Sequence, residues 1–197
     1  GSMPGAAPST TRLTKLIVEE SGRLNNIVTE FLDFARPMTP KFQECDLNQI
    51  LARTFLFLGP ELDKTGISLQ SNLDQQPLKL RADPEQIYRS LLNIFLNAIQ
   101  AMPNGGHIQV NATVEEDGHY LIEIADTGVG ISEKDLSKIF NPFFSTKERG
   151  TGLGLSIVRN IIEGHHGKIW IESPAAGRGD EGSAGTRVMI RLPRDGG

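Results

Sequence analysis

S-L-L-N-I-F-L-N-A, residues 90–98, sets two asparagines one helical turn apart inside an otherwise apolar run. Just upstream, Asp83-Pro84-Glu85-Gln86 reads as a helix start: an aspartate N-cap, a proline at the first helical position and a glutamine at N3 able to close a capping box. The helix it opens runs to about Met102. Ile87, Leu91, Ile94, Phe95, Ala98 and Met102 form its buried stripe, and Gln86, Ser90, Asn93, Asn97 and Gln100 fall on an opposing polar face. An asparagine in an apolar helix costs stability unless its amide is hydrogen-bonded or ligates something. Two in line suggest a ligand, although a solvated face or a cap for a neighbouring loop would explain them if the helix stood alone.

Three later blocks show that it does not stand alone. D-T-G-V-G at 126–130 follows a strand: the Asp126 carboxylate at the strand end can accept from an exocyclic amino group, and Gly128 and Gly130 let backbone approach a flat base. That favours adenine over guanine, which presents an acceptor at the equivalent position. An ordinary Asp-Thr-Gly turn is the plainer alternative. F-N-P-F-F-S-T-K at 140–147 supplies aromatics to anchor the base of a loop, with Lys147 or Arg149 in reach of a terminal phosphate, or else a solvated charged loop. In G-T-G-L-G-L at 150–155, Gly150, Gly152 and Gly154 precede an apolar helix over 155–162, so free N–H groups at a helix start would face an anion. The block lacks the Lys-Ser/Thr ending of a P-loop, and no acid follows at the spacing of a dinucleotide fold. In this setting Asn97, with small Ala98 beside it, suits Mg²⁺, a hard cation that keeps waters and phosphate oxygens around few protein ligands. The blocks together describe a nucleotide site for Mg-ATP.

The remaining chain supplies a scaffold. Asp46 is an N-cap for a helix through Leu47, Ile50, Leu51, Phe55 and Leu58 that Gly59-Pro60 and Gly66 should interrupt. Alternation predicts strands at 67–73 and 78–81, paired across a turn at Pro77, then at 108–114, 120–125, 168–172 and 186–192. Interleaved helices and strands mean α/β with a mixed sheet. Over 13–34, Leu13, Ile17, Glu20, Leu24, Ile27, Phe31 and Phe34 make a heptad seam, widened by Leu16, Val28, Leu32 and Ala35, which suits one long bundle helix with a partner helix. Pro37 and Pro40 stop it. The expected division is a cloning scar and flexible leader at 1–10, the bundle helix at 11–36, a linker at 37–45 that includes Cys45, the main domain at 46–193 and a flexible tail at 194–197.

Composition narrows the classes. The 197 residues are 38% hydrophobic and 22% charged, an ordinary globular balance. With 20 Lys+Arg against 24 Asp+Glu, a net charge of −4 and no polybasic run, neither nucleic acid nor direct membrane contact is expected. One cysteine and no zinc spacing fit a reducing, cytoplasmic setting, and no apolar run approaches the ~20 residues of a membrane span.

The ordered blocks resemble the N, G1, F and G2 boxes of the histidine-kinase ATP-binding domain, of the GHKL superfamily, over roughly residues 46–193, and Gly185-Thr186 resembles its closing glycine motif. The helix ending F-L-D-F-A-R-P resembles the second helix of such kinases' dimerisation and phosphoacceptor hairpin, and the short lid between Phe144 and Gly150 resembles that of nitrogen-regulation-type kinases. The resemblance implies a two-layer α/β sandwich that binds ATP and Mg²⁺. It carries nucleotide contacts to Asn97, Asp126, Gly128, Gly130, Phe140, Lys147, Gly150, Thr151, Gly152, Leu153, Gly154, Leu155 and Thr186, the metal to Asn97, and catalytic roles to Asn93 and Lys147. It also implies a homodimer through hairpin helices, a response regulator as partner, and a longer protein anchored in the bacterial inner membrane. GHKL hydrolases such as gyrase hold a general-base Glu one turn before the metal-binding Asn; Asn93 stands there instead, which favours phosphoryl transfer over hydrolysis. None of His107, His119, His165 or His166 has the context of the family's acceptor histidine, so this stretch is expected not to phosphorylate itself. A serine kinase of the anti-sigma-factor type and a non-catalytic nucleotide-binding module are the alternatives.

Overall fold

The computed structural model describes residues 12–15, 17, 18, 21, 28, 32, 39–74, 76–147, 150–173 and 185–196. Contacts divide the chain into two units, Gly1–Pro37 and Met38–Gly197. Every described residue of the first unit is helical, and Leu13, Ile17, Val28 and Leu32 of the expected stripe are exposed. The other seam residues, Leu16, Glu20, Leu24, Ile27, Phe31, Phe34 and Ala35, lie outside the described residues, as does the leader.

The second unit runs β1 (Gln43–Asp46), α1 (Leu47–Thr65), β2 (Ile67–Leu73), β3 (Lys79–Ala82), α2 (Pro84–Ala101), β4 (Gly106–Val114), β5 (Tyr120–Asp126), a short α3 (Glu133–Leu136), α4 (Gly154–Gly164), β6 (Lys168–Glu172) and β7 (Thr186–Leu192). Five strands form one sheet in the order β2-β4-β5-β7-β6, parallel at β2–β4 and antiparallel elsewhere. Helix α2 lies between α1 and α4, and the three cover the sheet face on which alternate strand residues are buried. The core is built from Leu47, Leu51 and Leu58 of α1, Ile87, Leu91, Ile94 and Phe95 of α2, Val158 and Ile162 of α4, and inward residues of β4, β5 and β7. Phe55 meets Phe95 edge-on at 5.8 Å. This is the α/β sandwich with a mixed sheet that the sequence predicts.

Strand alternation also delivers the first site residue. Along β5 the inward positions are Tyr120, Ile122, Ile124 and Asp126, so the two-residue period that buries the isoleucines carries Asp126 to the helix side at the strand's end. In register, Asp126 sits between Ile108 of β4 and Thr186 of β7.

Several expectations are corrected. Gly59-Pro60 does not interrupt α1, which continues to Thr65 and ends at Gly66. The carbonyl that loses its N–H partner at Pro60 belongs to Leu56, which is exposed, so water can take the bond. Strand β3 pairs not with β2 but with β1, Leu80 facing Cys45, and β2 pairs with β4. Within the stretch read as linker, 43–45 therefore build a two-stranded sheet that Tyr120 ties to the main one through its hydroxyl, 2.7 Å from the Lys79 carbonyl. The capping box at α2 is not closed by Gln86. The Asp83 carboxylate does accept from the Glu85 and Gln86 N–H groups, but the Asp83 N–H donates to His165 Nε2 at 2.9 Å, and Gln86 Oε1 has no partner among the described residues.

Candidate functional site

The asparagine helix is held at its start by an unusually employed side chain. Asp83, 8% exposed, caps α2 with Oδ1 and accepts the Lys41 N–H with Oδ2 at 2.9 Å, so the segment leading into the domain and the first turn of α2 share one carboxylate. Beneath it, His165 ends α4. Its Nδ1 lies 2.7 Å from the Ile161 carbonyl and its Nε2 accepts from Asp83 N–H, which assigns a neutral ring with the proton on Nδ1. Burial pulls the His165 pKa below the usual histidine range, opposed by the Ile161 carbonyl. The N-terminal end of α2 is thus tied to the C-terminal end of α4.

Farther along α2, the polar face turns toward α4 and the loop after β5. Asn93 and Asn97 are half-buried. Ser90, expected on the same polar face, is fully buried and its hydroxyl has no partner among the described residues. At Gly154, the first residue of α4, a Cβ would come within 3.1 Å of Asn93 Oδ1, so the missing side chain lets the helix start lie against the asparagine. Leu153, at the N-cap of α4, is buried in the core and supplies no side-chain cap, so among the described residues the first-turn N–H groups have no side-chain acceptor from the N-cap position. The preceding turn is set by Gly152 at φ +71°, where a Cβ would fall 2.7 Å from the Phe144 backbone nitrogen, and by the Thr151 hydroxyl, which accepts from Leu153 N–H at 3.3 Å.

Lys147 reaches across to α2. Its ammonium donates to Asn97 Oδ1 at 2.8 Å and to Gln100 Oε1 at 2.6 Å, so the oxygen expected to hold a metal already holds a cation. The side chain is exposed overall, but its ammonium end lies between the two amides and partial desolvation lowers its pKa from the usual lysine value. Arg149, the other cation expected here, lies outside the described residues. Of the aromatics expected to anchor this loop, Phe144 and Phe140 are half-buried, the latter with the Arg159 guanidinium 5.8 Å over its ring. Phe143 is exposed, with its backbone at φ +66°.

Asp126 forms the far wall. It is 8% exposed, and its Oδ1 accepts the Gly128 N–H at 2.8 Å. Burial pushes its carboxyl above the ordinary aspartate range, against the Gly128 and Thr186 backbone N–H groups that favour the charged form. Gly128 serves packing as well as approach, because a Cβ there would sit 2.7 Å from Ala101 Cβ and 2.8 Å from the Ala101 carbonyl oxygen at the end of α2. Val129 N–H donates to that same carbonyl, Gly185 N–H to the Gly128 carbonyl, and the Ser173 hydroxyl accepts from Ile131 N–H and donates to the Gly185 carbonyl. Gly130 completes the turn at φ +72°. Sequence reasoning missed Gln100 as a partner of Lys147, and Ser173 and Ala101 as the groups that hold the Asp126 loop. Gln100 was visible on the polar face of α2, whereas nothing local marks Ser173 or Ala101.

The arrangement fits a magnesium nucleotide. Among the described residues no group of His, Cys, Asp or Glu would hold a metal alone, but a neutral oxygen facing a cation position beside an uncapped helix start is the donor set for a metal carried on phosphates. Residues 82–196 match the family described as histidine kinase-, DNA gyrase B- and HSP90-like ATPase. The chain belongs to that family. It is 38% identical over 168 residues to the sensor histidine kinase ZraS of Klebsiella oxytoca, covering 85% of this chain and 36% of ZraS. It is 36% identical over 178 residues to sporulation kinase E of Bacillus subtilis strain 168, covering 90% of this chain and 23% of that kinase. The catalytic domain of histidine kinase ThkA superposes with a TM-score of 0.69 at 32% identity, covering 79% of this chain and 97% of that one. ThkA in complex with response regulator protein TrrA gives a TM-score of 0.78 at 28% identity, covering 98% of this chain and 54% of that one. The chain thus carries a domain of the histidine kinase-, DNA gyrase B- and HSP90-like ATPase family and spans about a third or less of these two curated relatives.

Proposed function

We propose that this domain binds Mg-ATP between α2 and the start of α4 and delivers the γ-phosphoryl group to a histidine on a dimerisation hairpin. The observation that carries the reading is the convergence of Asn93, Asn97, the Lys147 ammonium and the uncapped first turn of α4. Magnesium, when bound with the nucleotide, would neutralise phosphate charge. Asn97 offers it an oxygen, and the first N–H groups of α4 hold phosphate oxygens. Lys147 brings positive charge to the terminal phosphate, and Asp126 accepts from the adenine amino group. Gly128, Gly130, Phe140, Gly150, Thr151, Gly152, Leu153, Leu155 and Thr186 shape the walls. Asn93 offers no carboxylate to activate water, so the chemistry is transfer.

The acceptor is a histidine other than His165, whose two ring nitrogens are both engaged. The first unit is half of that hairpin, the working kinase is a homodimer on the cytoplasmic side of a membrane, and a response regulator receives the phosphoryl group. Calorimetry of Asn97→Ala with and without magnesium tests the binding step: a folded variant should lose most of the magnesium-dependent affinity. Incubating the chain with γ-labelled ATP and a second chain that carries a complete hairpin tests transfer. Alkali-stable label should appear on the added chain alone; label on His165 or His166, or unchanged affinity in Asn97→Ala, would refute the assignment.

A further inference from the structure

We propose that Gln100 is a positioning residue that keeps the Lys147 ammonium at the nucleotide site when the cation position at Asn97 passes from lysine to metal. The inference rests on the reading of Asn97 as the metal-side oxygen and adds a residue and an exchange to it.

Lys147 stands on a loop fifty positions from Asn97, yet its ammonium meets two amide oxygens that lie one turn apart on α2. A metal at Asn97 Oδ1 binds at about 2.0–2.1 Å when it is magnesium, with the shell filled by waters and phosphate oxygens. An ammonium held 2.8 Å from the same oxygen would then stand beside the metal, and although the oxygen has two lone pairs, two positive charges that close repel. The lysine, held by hydrogen bonds alone, is the one that gives way. The second contact decides where the lysine goes: Gln100 Oε1, at 2.6 Å, remains available after Asn97 is taken. Lys147 therefore stands in for the metal before nucleotide arrives, and afterwards pivots on Gln100 with its charge still beside the phosphates. An apolar residue at position 100 would leave the ammonium with no protein partner once the metal is in place.

Hydrogen exchange of the backbone amides at 143–147 in the whole chain, together with calorimetry of Mg-ATP and Mg-ADP, separates the parts of the proposal. Without nucleotide, Lys147→Met should speed exchange of this loop about five- to tenfold, the worth of a charge-assisted hydrogen bond in a half-exposed site. Gln100→Met should speed it by a smaller factor, because Asn97 Oδ1 still holds the ammonium without nucleotide, the double variant should add little to Lys147→Met, and Gln100→Glu, which restores an acceptor, should return the slow rate. In binding, Gln100→Met should weaken ATP several-fold while leaving ADP nearly unchanged, because the misplaced charge serves the terminal phosphate. Unchanged loop exchange in Gln100→Met, additive effects in the double variant, or equal weakening of ATP and ADP would overturn the proposal. Failure of the unaltered chain to bind either nucleotide would instead overturn the reading of the site, and the exchange data would still report on the Lys147–Gln100 contact.

Discussion

Replacing Gly128 with alanine exchanges a hydrogen for a methyl group where α2, the end of β5 and Asp126 meet. The new Cβ would lie 2.7 Å from Ala101 Cβ, 2.8 Å from the Ala101 carbonyl oxygen and 2.9 Å from Asp126 Oδ1. A carbon pair normally rests at about 3.5–4.0 Å, so the first contact alone demands a shift of about 1 Å. Neither neighbour yields easily: Ala101 ends α2 and its carbonyl accepts from Val129, while Asp126 is fixed in register between two strands. Overpacking of this kind costs about 1–3 kcal/mol, which for a unit of this size lowers the melting temperature by roughly 4–8 °C near the middle of that range. Because the strain falls on Asp126 Oδ1, ATP affinity should drop about tenfold with it. The companion change Ala101→Gly removes the nearest clash at a cost of about 0.5–1 kcal/mol of its own. In a double-mutant cycle by thermal unfolding and calorimetry, the pair should be less damaging than the sum of the single changes, though the Ala101 carbonyl remains and rescue stays partial. Additive losses, or a Gly128→Ala protein that melts and binds ATP as the unaltered chain does, would refute the packing argument.

Other outcomes follow from the same geometry. Asp83→Ala removes the α2 cap and the acceptor of Lys41 N–H, and should cost about 2–3 kcal/mol by chemical denaturation, whereas Asp83→Asn, an equally good cap, should cost less than half of that. His165 has a lowered pKa in the folded state, so its neutral ring contributes stability that is complete above the unfolded value of about 6.5 and is lost as pH falls toward the folded value. Melting temperature should therefore decline as pH falls below about 6.5, and a His165→Gln protein should lose that part of the slope. Guanine would set an oxygen against the Asp126 carboxylate, a mismatch worth about 1–3 kcal/mol, so ATP should displace GTP at least tenfold better, and Asp126→Ala should erode that preference. Equal competition by GTP in the unaltered chain would remove the adenine-reading role.

Much of this architecture is written in short-range patterns. The two-residue period of β5 buries Ile122 and Ile124 and necessarily brings Asp126 inward, and the cap Asp83-Pro84 fixes where α2 begins, so the faces of Asn93 and Asn97 follow from counting. What could not be read was set by partners distant in sequence. Nothing near Asp83 announces that its N–H goes to His165, eighty-two residues away, rather than to Gln86. The pairing of β3 with β1 escaped for a related reason: proximity across Pro77 favours a hairpin with β2, but β2 is claimed by β4 in parallel, a non-local choice. Pro60 was overvalued as a helix breaker because its cost depends on whether water reaches the Leu56 carbonyl, a property of the surface rather than of the peptide. At the site, the glycine blocks marked the loops, but the contact of Lys147 with Gln100 depends on how a loop folds back, which no periodicity encodes.

The carboxylate of Asp83 has a consequence for building hybrid proteins on this domain. Anyone fusing a foreign sensory helix to this domain would place the junction by sequence alignment, and any point before β1 would look equivalent. It is not. Phe42 rests against the rings of His165 and His166, and the Lys41 N–H is held by the group that starts α2. A graft that ends before Lys41 preserves this seat, whereas one that replaces Lys41 and Phe42 changes the footing of α2 itself. Chimeras with identical catalytic residues and junctions two residues apart should then differ in ATP affinity, a difference that would otherwise be ascribed to the sensor.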